Sequence, residues 1–176
     1  GGTRQPYYVA QFRLASTVPG AVQPGLAMSV SPDRGDGARM SYLRFEDQAD
    51  GIHVFFDDYQ DVAPFGGAVG DANGCGVEDD FNETDIATLN RSVPHTIKFV
   101  MDFWPGSRDD AVLIYIDGTL KGKGNSWEDY FRYCEGNPTR PVDSMLFRTG
   151  GTAAPATAGK GFLIDNFQQR SGPRPN

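Results

Sequence analysis

Tyr42, Arg44 and Glu46 alternate along RMSYLRFE, and His53 follows in GIHVFFDD. Alternate residues of a strand share a face, so the first three stand side by side and His53 joins them from the next strand. An arginine neutralises a carboxylate while a tyrosine or histidine beside it takes a proton, the pairing needed to abstract a proton next to an acid group. Tyr115 is a further tyrosine, in a strand elsewhere. A surface that only binds needs less: aromatic rings against a ligand's apolar face and polar side chains for its hydroxyls. Trp104, Trp127, Tyr130 and Tyr133 add rings to Tyr42 and Tyr115, and Arg44 adds a cation. Each has a plainer reading. Tyr42 and Arg44 fit a half-exposed sheet face, Trp127 fits the packing of a short helix, and Trp104 before Pro105-Gly106 fits cover for a sheet edge.

Metal and thiol chemistry is thinly represented. Asp71 to Gly76 imitates the start of a calcium loop, but Cys75 and Asn82 stand where that loop needs an oxygen ligand and a bidentate Glu. The two cysteines, Cys75 and Cys134, sit in polar surroundings and predict one disulfide of an exported protein, closing about 58 intervening residues and worth roughly 3–5 kcal/mol. Two free thiols are the alternative. Two Cys and two His at unrelated spacings make no zinc site.

A net charge of −7 and a pI near 4.7 exclude nucleic acid and anionic membranes, which are held by Lys and Arg displacing counterions. They leave a neutral ligand, or an acidic one held by a local basic patch. No apolar run is long enough to span a bilayer. The start at Gly1-Gly2, without Met or an apolar leader, predicts a mature or excised piece of a larger, multidomain secreted or cell-surface protein.

The elements that must position these residues are strands. Across 176 residues, 22 Gly and 12 Pro are scattered rather than clustered, as many tight turns require. Period-2 alternation marks strands at 7–18, 26–31, 38–46, 52–58, 96–103, 111–117, 144–148 and 162–167. Within 95–118 the pattern assigns Ile97, Phe99, Met101 and Phe103 to one face and leaves Lys98 and Asp102 on the other, before an Asp117-Gly118 bend. The one helical signal is near 126–133, where Ser126 caps and Asp129 completes a capping box. This predicts an all-β, two-sheet antiparallel sandwich as a single domain over 7–170, with flexible ends at 1–6 and 171–176. Arg34-Gly35-Asp36 spells an adhesion tripeptide that a hairpin tip explains equally well, and Asn82 and Asn90 begin glycosylation sequons. The glycines near Phe65 and Gly150 are hinges, not phosphate cradles.

The succession RMSYLRFE, GIHVFFDD, IATL, HTIKFVMDF, DDAVLIYIDG, SMLFRTGG and GFLIDNFQ resembles the concanavalin A-like lectin/glucanase superfamily, with its laminin G-like domains and bacterial sugar-binding modules. The family's Tyr-Ile-Asp-Gly bend is present as Tyr115-Ile116-Asp117-Gly118. The resemblance implies a jelly roll with one concave sheet and, for function, a carbohydrate-binding or adhesive module. A polysaccharide-degrading enzyme is the alternative. Family hydrolases carry E-x-D-x-x-E on one strand, which is absent; Glu46-Asp47 and Asp57-Asp58 are the nearest pairs, and Glu46 opposite Asp58 is one cross-strand option. Family lyases carry R-[ST]-E-x-R and Q-[IV]-H, of which Gly51-Ile52-His53 keeps only the end. A uronate lyase would use Arg44, His53, Tyr42 and Tyr115. The resemblance requires no cofactor, and implies a structural calcium at Asp165 in LIDNF.

Overall fold

Alternation sorts each strand's side chains between a shared core and solvent, and two sheets that bury one face each must stack. The computed structural model, which describes residues 5–34, 37–60, 81–106, 108–136 and 142–175, shows this arrangement. Among the described residues ten strands run β1 (Tyr7–Ser16), β2 (Ala27–Asp33), β3 (Tyr42–Gln48), β4 (Gly51–Tyr59), β5 (Phe81–Leu89), β6 (His95–Asp102), β7 (Ala111–Ile116), β8 (Thr119–Gly124), β9 (Ser144–Gly150) and β10 (Phe162–Gly172). They form two five-stranded sheets, β10-β1-β6-β7-β8 and β5-β4-β3-β2-β9. All pairings are antiparallel. Phe12, Leu14, Ile97, Phe99, Met101 and Ile114 from the first sheet meet Leu43, Phe45, Ile52 and Val54 from the second, all essentially inaccessible. Burying such side chains is worth roughly 1.5–3 kcal/mol each.

Two strands exceed those read from alternation. β5 is polar along most of its length and β8 carries Gly122 and Gly124; both lie at sheet edges, where one flank is solvated and period-2 patterning fades. The glycines of β8 permit close approach. A Cβ at Gly122 would crowd Phe56 and Ile86, and one at Gly124 would lie 2.3 Å from Asp58 Oδ2.

Other boundaries also shift. β3 begins at Tyr42 rather than Ala38; before it, Arg39 forms an isolated bridge with Asp33 and the Met40 N–H donates to the Pro32 carbonyl at 2.9 Å. β10 runs on to Gly172, and Arg174 then ties the tail down, donating to Asp102 Oδ1 and the Phe103 carbonyl, each at 2.5 Å. The helical signal materialises as a π-helical turn, Tyr130–Cys134. Ser126 caps its approach by accepting from the Glu128 N–H at 3.2 Å, while its own hydroxyl donates to Asp110 at 2.6 Å.

The Asp117-Gly118 bend joins β7 to β8 with both φ values positive, 50° and 80°, the left-handed pair of a type I′ hairpin. A Cβ at Gly118 would meet nothing within 4 Å, so only backbone strain opposes substitution. Gly118→Ala is expected to cost about 1 kcal/mol in urea denaturation; an unchanged midpoint would contradict this turn.

Candidate functional site

Register across β3, β4 and β5 lays side chains on the outer face of the second sheet in three rows. Tyr42, Asp57 and Glu83 form one, Arg44, Phe55 and Asp85 the next, and Glu46, His53 and Thr88 the third. The inward partners Leu43, Phe45, Ile52, Val54 and Phe56 are core. Hydrophobic alternation thus positions every polar group of the face, because burying one side of β3 and β4 forces the other outward.

Arg44 is the hub. Its Nε and Nη2 donate to the two carboxylate oxygens of Glu83 at 2.8 Å each, Nη1 donates to Glu46, and the guanidinium lies 4.0 Å from the centre of the Phe55 ring. Hydrogen bonding to Glu83 raises its pKa further, against burial. His53 stands between two carboxylates, Asp85 at 2.7 Å and Asp50 at 2.8 Å. The hydrogen bond to Asp85, then that to Asp50, raises its pKa and favours imidazolium.

An aromatic group borders the Tyr42 end. The Trp127 ring lies 5.9 Å from Tyr42 and 4.6 Å from Phe81, and Tyr130 lies 5.4 Å from Phe81. Trp127 and Tyr130 come from the helical segment, which is held by Ser126 and by the Trp127 N–H donating to the Met40 carbonyl at 2.9 Å. Beneath this group Asp57 is only 5% exposed. Burial pushes its carboxyl up to about 7, opposed by Tyr42 and Trp127 and reinforced by the charges of Glu83 and Asp58. Burial raises the Tyr42 hydroxyl too, with Asp57 and Glu83 acting in the same direction.

The structure brings Tyr42, Arg44, His53, Trp127 and Tyr130 to one face. It does not bring Tyr115, which lies on β7 of the opposite sheet, facing away. The four-residue lyase set is therefore split between the two outer faces. Trp104 is also remote, 44% exposed beyond β6 and covered by Arg174 at 3.6 Å. Glu46 pairs with His53 across the strands rather than with Asp58, which points inward to Gln60 and Asn82. Asp50, Phe55, Asp57, Phe81, Glu83 and Asp85 escaped the sequence reading as site residues. Asp57 was visible only as half of a Asp57-Asp58 pair, and Glu83 and Asp85 sit on an edge strand with no alternation.

Asp165 lies on β10 with Arg13 as its register partner and is exposed. A calcium cage needs six to eight oxygens, and Asp165 belongs to no group of three or more converging His, Cys, Asp or Glu side chains among the described residues. The acidic side chains that do converge are Asp109, Asp110 and Glu128, with oxygens within 4.8 Å of one another. Asp110 already accepts from Ser126 and from the Trp104 N–H, and Glu128 from Arg132 at 3.0 Å. Cys134 ends the π-helical turn and carries no free thiol. Cys75, Gly35, Asp36 and the segment 71–80 lie outside the described residues. No helix among the described residues is long and apolar enough to cross a membrane.

No family model and no curated protein matches the chain. Among solved structures, sheep galectin-11 in complex with glycerol superposes over 96% of this chain and 93% of its own, at 9% identity and a TM-score of 0.48. Alginate lyase AlyC3 in complex with dimannuronate is similar over 93% of this chain and 63% of its own (11% identity, TM-score 0.49), and an alginate lyase from Alteromonas sp. 272 over 96% and 73% (8% identity, TM-score 0.49). No residue role passes from them. By its own strand order and register, the chain is an antiparallel β-sandwich of two five-stranded sheets.

Proposed function

We propose that the chain is a glycan-binding module whose ligand lies on the outer face of β3, β4 and β5. The observation that carries this reading is the half-exposed ring group of Tyr42, Phe81, Trp127 and Tyr130 beside polar side chains already fixed by Arg44. Rings offer flat apolar area at little entropic cost, and polar groups locked by their neighbours lose little freedom on binding. The face carries Glu46, Asp50, Glu83 and Asp85 against Arg44 and His53, so a neutral sugar suits it better than a uronate.

The same geometry weighs against β-elimination. Arg44 is already paired with two carboxylates, Glu46 and Glu83, and the hydrogen bonds to Asp85 and Asp50 favour the imidazolium of His53, which makes it a poorer base. The reading extends to an exported setting within a larger protein, with a Cys75–Cys134 disulfide; its support is that Cys134 is not a free thiol.

A glycan array of neutral oligosaccharides, with an unsaturated-uronate absorbance assay alongside, tests the reading. Saturable binding without product is expected, and Tyr42→Ala is expected to weaken it about tenfold, near 1.4 kcal/mol, at a temperature where circular dichroism shows the variant folded. Unsaturated product from any uronan would overturn binding as the function.

A further inference from the structure

The opposite face of the sandwich holds a second constellation that this reading does not use. Strand register aligns Gln168 of β10, Gln11 of β1, Lys98 of β6 and Tyr115 of β7 in one row on the outer side of the first sheet. The Lys98 ammonium lies 5.4 Å from the centre of the Tyr115 ring. Among the described residues it forms no ion pair. Two adjoining depressions share Gln11 and Lys98 as their common wall. One, of about 270 Å³, extends to Gln168 and Arg170; the other, of about 480 Å³, extends past Thr96 to Tyr115 and Asp117. Asp117, the carboxylate nearest this wall, is occupied, accepting from His95 at 2.6 Å and from the Thr96 N–H at 2.8 Å.

The two outer faces differ in sign. The row of Lys98 is bordered by Arg13 and Arg170 on the neighbouring rows, with Asp165 opposite Arg13, whereas the β3–β5 face is acidic. Stacked sheets stand about 10 Å apart, and at physiological ionic strength charge is screened over about 8 Å. The basic row is thus largely shielded from the acidic face, and the chain's overall negative charge does not forbid an anion here.

We infer that this row is a second binding site, for a carboxylate-bearing saccharide. Lys98 supplies the charge for a uronate carboxyl, Tyr115 a flat surface for the sugar ring, and the carboxamides of Gln11 and Gln168 donors and acceptors for its hydroxyls. The continuity of the two depressions suits an extended chain of such units. A polyanionic peptide shares the carboxylates but has no pyranose ring to lie on Tyr115 and no hydroxyls for the two glutamines.

The test is titration of the whole chain with sodium polygalacturonate, with its methyl-esterified form and with poly-glutamate at moderate salt. Polygalacturonate is expected to bind, and both other polymers about tenfold or more weaker. Lys98→Gln is expected to remove that preference and Lys98→Arg to restore it, while Tyr42→Ala on the opposite face leaves it intact. Equal binding of the methyl ester by the unaltered protein would overturn the site even if Lys98→Gln failed to fold. Equal binding of poly-glutamate, or full affinity in Lys98→Gln, would overturn it too. Loss of binding in Tyr42→Ala would move the ligand to the other face.

Discussion

Replacing Asp57 with asparagine is expected to stabilise the protein, by an amount that grows from pH 4 to pH 7 and levels off above it. The Asp57 carboxyl is 5% exposed, and burial lifts its pKa from 3.8 to about 7. A folded-state pKa above the unfolded value means that the folded chain binds the proton more tightly. The stability this confers is complete below pH 3.8 and is lost as pH rises through 7. At 1.36 kcal/mol per unit, the unaltered protein gives up on the order of 4 kcal/mol by pH 8. Asparagine keeps the shape without the charge, so Tyr42, Trp127, Glu83 and Asp58 no longer surround a buried anion. For a chain of this size each kcal/mol moves the melting temperature roughly 2–4 °C. Melting curves of both proteins between pH 4 and pH 8 supply the check, and a difference independent of pH would show that Asp57 does not titrate as described. His53, also raised, loses its contribution in the same direction, so the comparison must be made between variants rather than across pH alone.

Asp47→Ala is expected to cost about 3 kcal/mol or more, because it leaves buried donors uncompensated. The Asp47 side chain is wholly enclosed. One oxygen accepts from the Gln23 N–H at 2.9 Å, the other from Arg91 Nε at 3.0 Å and Nη2 at 2.9 Å. Arg91 also donates to the Gln48 carbonyl. Through these bonds one carboxylate fastens both the β1–β2 connection and the β5–β6 turn to the end of β3. Gln23, itself 1% exposed, extends the network to Ser16 and the Gly161 carbonyl, at 3.0 Å each. Urea denaturation of Asp47→Ala, Arg91→Ala and the double variant measures the coupling, and the double variant is expected to lose less than the sum of the two. Strict additivity would mean that the pair does not act as a unit.

How much of this was legible in the sequence depended on burial. Ile97, Phe99 and Met101 are inaccessible and Phe103 is 5% exposed, as alternation along β6 assigned them. A central strand with a core on one side writes that pattern strongly. β5 and β8 do not, since edge strands tolerate the polar run FNETDIATL and the glycines of TLKGKG. With β5 unread, Glu83 and Asp85 were invisible, and so was the reason Arg44 and His53 carry no free charge. Period-2 reasoning placed Tyr42, Arg44, Glu46 and His53 on one face, but it reports the face and not the sheet, which is why Tyr115 was grouped with them. The burial of Asp57 was hidden for a related reason. The Asp57 carboxyl interacts with Trp127, about 70 residues further along the chain, and no local pattern encodes a contact at that separation.

In the proposed binding mode a glycan lies against the Trp127 and Tyr42 rings. Because the chain has two tryptophans and Trp104 lies apart, Trp104→Phe leaves Trp127 as the sole indole reporter. Titrating that variant with the tightest neutral oligosaccharide from the array is expected to give a saturable change in Trp127 emission, with the same dissociation constant as direct binding and a midpoint about tenfold higher when Tyr42→Ala is added. Binding by calorimetry with no change in Trp127 emission would place the ligand elsewhere and contradict the account.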